Sequence, residues 1–208
     1  MTTGFRRSRG GGAHAHLDLV EARMLASLAA QVVELLRDGV GGGTGVGDTA
    51  DAGDPLAVMV GLGADAPLPT PDDPVLARLL PDAYPDDESE AADFRRYTEP
   101  GLRDRKVANA SAVIASLVEA GADLDAGPAA EPEDPLPVRV DVELDRAGVD
   151  AWVRCLTDLR LALGTRLEVA DGDEERWAQL PDDEPAKAMH DVYDWLGFIQ
   201  ETLVRTLR

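Results

Sequence analysis

The chain has 208 residues, a formal net charge of −20, and a composition that is 44% hydrophobic but only 4% aromatic. This length is enough for one packed core without disulfides or metal ions, and a core made mainly of Leu, Val and Ala favours helices over sheets. Because the negative charge repels phosphate groups, strong direct binding to nucleic acid is not expected.

The N-terminal residues predict a tail, a short strand and a helix. Residues 1–12 are rich in Gly and Arg without periodicity, which predicts a disordered tail ahead of a single helical domain over residues 13–208. The alternating "AHAHL" at 13–17 predicts a short strand. Asp18 and Glu21 have the spacing of a capping box, which starts a helix that ends at Gly39. The predicted apolar face of this helix contains Leu25, Leu28, Val32, Leu35 and Leu36.

Residues 39–54 are rich in glycine and predict a flexible loop. A phosphate-binding glycine loop is the alternative, but no strand precedes the segment and no Gly-Lys-Ser/Thr closes it. The apolar residues that follow, 54–63, predict a short buried helix with Asp54 as its cap and Pro55 in its first turn.

The segment 69–121 predicts three successive helices. The first is capped by Asp72 or Asp73 and stopped by Pro81. The second starts after the acidic "DDESE" and ends near Pro100, and the third continues to Gly121.

The last third of the chain predicts one strand and two long helices, with flexible loops near 122–137 and 170–185. Residues 138–144 alternate strictly, which predicts a strand that pairs with residues 13–17 in a two-stranded ribbon. Helices are predicted from about 146 to 169 and from about 186 to 207. Their apolar stripes are Trp152, Leu156, Leu159, Leu163 and Leu167, and Met189, Val192, Leu196, Ile199, Leu203 and Leu207. The second stripe is typical either of a core-facing helix or of a homodimer seam.

These elements together predict a mainly α fold, a compact helical domain of about five to seven helices with a small two-stranded β ribbon. No run is apolar and long enough to span a bilayer, and no secretory signal is recognisable, so the expected location is the cytoplasm.

Residues that carry enzyme chemistry are not arranged in any recognisable motif. His14, His16 and His190 lack the helical spacing of metal ligands, although His14 and His16 lie on one side of a strand, and no nucleophile elbow occurs. We therefore expect no catalytic residue, no metal and no cofactor, and a protein that is not an enzyme.

Cys155 is the single cysteine, so an intrachain disulfide is excluded. Its position at the edge of an apolar stripe favours a buried packing role, because free cysteines are among the most buried residues. The alternative is a single-thiol sensor that works through sulfenic acid, a small-thiol adduct or an intermolecular disulfide. On the same helix, Arg154 and Asp158 are four residues apart and can pair.

One short segment reverses the acidic character of the chain. The basic residues of "FRRYTEPGLRDRK" are Arg95, Arg96, Arg103, Arg105 and Lys106, and they outnumber Glu99 and Asp104. The favoured interpretation is a network of internal ion pairs, because arginine binds carboxylates in bidentate geometry. The alternative is a contact site for an acidic partner.

Three blocks resemble a known family. The run "DPVLARLLPDAYPDDESEAADFRRYTEPGLRDRK", then "AWVRCLTDLRLALGTRL" and "VYDWLGFIQETLV", are similar in order and spacing to the actinobacterial AosR-like oxidative-stress transcriptional regulators, a family first catalogued as a domain of unknown function. The resemblance runs from about residue 17 to the end. It implies a cytoplasmic, mostly helical regulator that contacts RNA polymerase or a sigma factor.

Two hypotheses follow for the function. The first is a non-enzymatic transcription regulator of the oxidative-stress response that acts through protein contacts. The second is a structural or interaction module, homodimeric through its last helix, with no redox role.

Overall fold

The computed structural model describes residues 3–38, 70–84, 86–122, 124, 139–181 and 183–208. These residues contain six helices and one small antiparallel sheet, so the predicted mainly α fold is confirmed. The elements are the strands β1 (Thr3–Arg7), β2 (Ala13–Asp18) and β3 (Arg139–Leu144), and the helices α1 (Leu19–Asp38), α2 (Pro74–Leu79), α3 (Glu88–Glu119), α4 (Arg146–Arg166), α5 (Glu174–Ala178) and α6 (Pro185–Arg205). The loop predicted at 39–54 and the helix predicted at 54–63 lie outside the described residues, as does most of the loop predicted at 122–137.

The sheet has the order β1-β2-β3. The predicted pairing of the two alternating segments is confirmed, with Leu17 opposite Val140 and Ala15 opposite Val142. One face of this pair is buried, because alternate side chains of a strand point to the same side. The sheet therefore packs its apolar face on the helices.

The N-terminal prediction is wrong for residues 3–12, and the ribbon gains a third strand. Residues 3–7 form β1, which pairs with β2 and is joined to it by a turn. The Phe5 ring lies edge-on to Trp152 at 5.2 Å, and the Phe5 N–H donates to Thr202 Oγ1 at 3.0 Å. These contacts with α4 and α6 come from residues far along the chain, so local composition gave no sign of them.

The start of α1 and its buried face follow from its sequence. The Asp18 carboxylate accepts from the Glu21 N–H and the Glu21 carboxylate accepts from the Asp18 N–H, both at 2.8 Å, so the predicted capping box is confirmed. Leu25, Val32 and Leu36 of the predicted apolar face are buried.

The helix predicted to end near Pro100 does not end there, because α3 runs from Glu88 to Glu119 with Pro100 inside it. Proline removes one backbone donor and disfavours a helix interior by about 3 kcal/mol. The helix continues because its inner side is held on both sides of Pro100. Arg95, Glu99 and Arg103 are buried there.

The segment 170–185 contains a short helix, α5, where the sequence predicted a flexible loop. Trp177 in α5 is buried and stacks on His190 of α6, with ring centroids 4.4 Å apart. One aromatic anchor thus fixes a segment whose charged composition is typical of a loop.

The stripe of α6 faces the core. Leu196, Ile199 and Leu203 are fully buried within the chain, while Met189 and Leu207 at the ends of the stripe are about half exposed. The centre of the stripe therefore packs in the core, as the first of the two interpretations predicts. A homodimer across α6, which stays a prediction, would need its outer side.

Candidate functional site

Cys155 lies in the core, on α4. Its exposed fraction is 1%, and it belongs to the same apolar cluster as Trp152 and Leu156. Burial, together with the nearby Asp158 charge, raises the pKa of the thiol to about 12. Since the thiolate is the nucleophile, this environment supports the packing interpretation over a thiol sensor.

A buried ion pair joins α3 and α4 next to Cys155. Lys106 Nζ lies 2.5 Å from Asp158 Oδ1, and both side chains are largely buried. Burial raises the pKa of Asp158, and the Lys106 ammonium opposes that rise. The predicted pairing of Asp158 with Arg154 is therefore wrong, because Asp158 points into the interface and Arg154 is exposed.

Arg103 holds α3 against the end of α1. Its Nη2 lies 2.6 Å from Glu99 Oε1, and its Nη1 donates to the Leu36 carbonyl at 2.7 Å. The Leu36 carbonyl is one of the last four carbonyls of α1, which receive no hydrogen bond from within the helix. One buried guanidinium thus caps one helix and pairs within another.

Arg95 completes the internal network. It is buried and pairs with Asp82, which precedes α3. Three of the five basic residues of the segment, Arg95, Arg103 and Lys106, therefore have internal carboxylate partners. This favours the ion-pair interpretation and leaves Arg96 and Arg105 as the members closest to the surface.

The outer side of α3 carries exposed aromatic residues that sequence reasoning assigned to no site. We name this row the α3 outer stripe: Phe94, Tyr97, Thr98, Gly101 and Arg105, spaced at i, i+3, i+4, i+7 and i+11 and all exposed. Phe94 is 41% exposed and Tyr97 is 74% exposed. This spacing places the five residues on one side of the helix, away from its buried side, and it was the only sign of the stripe in the sequence.

Two aromatic contacts shape the α3 outer stripe. Tyr84 lies edge-on to Phe94 with centroids 5.8 Å apart, and the Arg96 guanidinium lies 4.5 Å above the Tyr97 ring. Tyrosine and arginine are among the residues enriched at binding hot spots. The stripe therefore has the composition of a protein contact surface.

The two histidines of β2 have separate partners. His14 bonds Ser8 and His16 pairs with Asp141, with the two rings 6.2 Å apart on one side of β2. Across the described part of the chain, no group of three or more His, Cys, Asp or Glu side chains is placed to hold a metal ion.

Two grooves flank Tyr193 on α6. One, of about 520 Å³, is lined by Trp177, His190 and several carboxylates, Asp171, Asp173, Glu174, Asp191 and Asp194. The other, of about 590 Å³, lies between α2, α4 and α6 and contains Arg160.

No helix in the described ranges is long and apolar enough to cross a bilayer.

The whole of this fold matches one family. The sequence matches the domain of unknown function DUF2017 over residues 2–207. The chain belongs to the DUF2017 family. The match covers the sheet, all six described helices and both grooves, so the buried ion pairs and the α3 outer stripe lie inside the family's domain.

Similarity to curated relatives extends over most of the chain. The chain is 32% identical over 200 residues to the "Oxidative stress regulator AosR" of Mycobacterium tuberculosis H37Rv. This aligned region covers 90% of this chain and 78% of that protein. It is 34% identical over 201 residues to the "Putative oxidative stress regulator AosR" of Mycobacterium leprae, covering 89% of this chain and 82% of that protein. No solved structure matches the chain.

Proposed function

We propose that this chain is a cytoplasmic regulator of the oxidative-stress response that acts on transcription by contacting RNA polymerase or a sigma factor, without catalysis and without strong DNA binding. The observation that carries the proposal is identity of 32% and 34% to relatives named oxidative stress regulators across about 90% of this chain. The family match over residues 2–207 includes every element of the described fold.

The electrostatics of the chain support contact with protein rather than with DNA. The net charge is −20, and three of the cations in its one basic segment are held in buried ion pairs. The surface that remains attracts basic protein surfaces and repels phosphates, so charge steers association toward a basic partner.

The α3 outer stripe supplies the apolar part of such a contact. Two of the chain's three tyrosines, Tyr84 and Tyr97, are exposed beside Phe94. The edge-on contact between Tyr84 and Phe94 restrains both rings, so these side chains lose little conformational freedom on binding.

Binding of the purified chain to RNA polymerase core enzyme and to isolated sigma factors, with and without peroxide, tests this function. We expect saturable binding to one of them, which Phe94→Ala and Tyr97→Ala weaken by about tenfold each. Val20→Ala is the matched control, because Val20 is an exposed hydrophobic residue at the start of α1, outside the stripe. Absence of binding under both conditions would contradict the proposal.

A second candidate is an interaction module that forms a homodimer through α6. Phe198 favours it, because this aromatic side chain is 45% exposed on a helix whose opposite side is buried. Light scattering of the chain and of Phe198→Asp separates the two candidates, since a dimer through this side would dissociate in the variant.

A further inference from the structure

The groove between α2, α4 and α6 is a cavity of about 590 Å³, within the range of small-molecule sites. Ala77, Leu161 and Val169 give it an apolar floor, and Tyr193 forms one wall. Arg160 and Arg78 also line it, together with one acidic residue, Glu168.

Arg160, which is half-buried, differs from the buried cations described above. Its Nη1 donates to Gln200 Oε1 at 3.0 Å, and its Nη2 donates to the Tyr193 hydroxyl at 3.3 Å. Its Nε is buried without a hydrogen-bond partner. Among the described residues no carboxylate lies within ion-pair distance of Arg160, whereas Arg95, Arg103 and Lys106 each have one.

An unmatched guanidinium in this position is costly, because a partly buried charge loses hydration without gaining a counter-charge. Packing fixes the group in place. The Arg160 guanidinium packs against Gly197 of α6, where an added Cβ would lie 3.5 Å from the Arg160 Cζ. The same Cζ lies 5.0 Å from the centroid of the Tyr193 ring. The cation is therefore positioned in advance of any ligand.

Two more donors face the same groove. The Tyr193 hydroxyl accepts from Arg160, and its own proton has no acceptor among the described residues. Arg78 is exposed on α2 and forms no ion pair within the described ranges. An anion in the groove would therefore lie beside two guanidinium groups and one phenol, and carboxylates are the anions that guanidinium groups bind in bidentate geometry.

We propose that this groove binds a small organic carboxylate, with the carboxylate on Arg160, Arg78 and Tyr193 and an apolar body on the floor formed by Ala77, Leu161 and Val169. The apolar floor favours an organic acid over inorganic phosphate, and the single acidic residue in the lining disfavours multiply charged ligands. This site is independent of the partner contact on α3, so either can fail without the other.

The test uses three probes on the full chain: benzoate, its neutral analogue benzamide, and inorganic phosphate. Binding is followed by the amide and ring signals of Gly164, Thr165 and Tyr193 in nuclear magnetic resonance titrations. We expect benzoate to bind at millimolar concentration, benzamide at least about tenfold more weakly because it lacks the charge, and phosphate more weakly than benzoate. Equal affinity for benzoate and benzamide, or for benzoate and phosphate, would overturn the proposal.

Variants of the groove residues assign the binding to this site. Arg78→Gln and Tyr193→Phe should each weaken benzoate binding by about three- to tenfold, and Glu168→Gln should strengthen it by removing a like charge. Arg160→Gln also removes a contact between α4 and α6, so the exposed Arg78 decides the question if that variant unfolds. Arg205→Gln is the matched control, because Arg205 pairs with Glu201 on the surface of α6. Unchanged affinity in both Arg78→Gln and Tyr193→Phe would refute the site.

Discussion

Lys106 Nζ lies 2.5 Å from Asp158 Oδ1, which makes one of the chain's two lysines the buried link between α3 and α4. Removing one member of such a pair leaves an uncompensated charge inside the protein. We expect Lys106→Met to lower the free energy of unfolding by about 3 kcal/mol, measured by urea denaturation. The double variant Lys106→Met, Asp158→Leu should lose less than the sum of the single variants, and strict additivity would show that the two groups do not interact.

The same pair predicts how the loss of stability in Lys106→Met depends on pH. Burial raises the pKa of Asp158, so the folded chain holds the Asp158 proton more tightly than the unfolded chain does. Such a group favours folding below its unfolded pKa, and that contribution is lost as the pH rises through the folded pKa. Lys106→Met raises the folded pKa further. Its stability deficit at neutral pH should therefore shrink as the pH falls toward about 4.

Stability curves of Lys106→Met and the wild type between neutral and acidic pH measure this trend. Arg205→Met is the control, since Arg205 and Glu201 are both well exposed and their pair contributes little. A deficit in Lys106→Met that stays constant with pH would contradict the assignment of the effect to Asp158.

Cys155 is 1% exposed, and its thiol pKa is raised to about 12 by burial first and by the Asp158 charge second. We expect a thiol reagent at pH 8 to modify the native protein at the rate of its unfolding, and the denatured protein at the rate of a free thiol. Cys155→Ala should leave partner binding unchanged. Modification of the native protein as fast as of the denatured protein would restore the thiol-sensor hypothesis.

Leu203 and Phe198 lie on different sides of α6, with exposed fractions of 0% and 45%. Leu203→Asp puts a charge into the core, and we expect it to destabilise the fold by about 4 kcal/mol or more. Phe198→Asp should change the free energy of unfolding by less than about 1 kcal/mol. Thermal unfolding followed by circular dichroism compares the two. Similar losses in both variants would mean that the outer side of α6 is also part of a packed interface.

Several parts of the fold could be predicted from the sequence because they depend on neighbours in the chain. The capping box of Asp18 and Glu21 needs two residues three apart, and the burial of Val140 and Val142 follows from a period of two. The stripe of α4 follows from helical periodicity, and the core position of Cys155 follows from that periodicity and from the general burial of free cysteines.

The candidate sites were less accessible to this reasoning. The sequence identified Arg95, Arg103 and Lys106 as a basic segment, but their partners Asp82, Glu99 and Asp158 cannot be chosen from 40 acidic residues by spacing. The lack of a carboxylate partner for Arg160 could not be predicted from the sequence, because it is a property of the packed interface between α4 and α6.

The sequence by itself thus determined the helical character, the main apolar faces, the pairing of β2 with β3 and the family, since each depends on local pattern or on similarity along the chain. Only the tertiary structure decided that residues 3–7 form a strand against Trp152, that α3 continues through Pro100, and which cations are neutralised. Contacts between residues far apart in the chain outweigh the local preferences of glycine, proline and charged residues when they bury a ring or pair a charge.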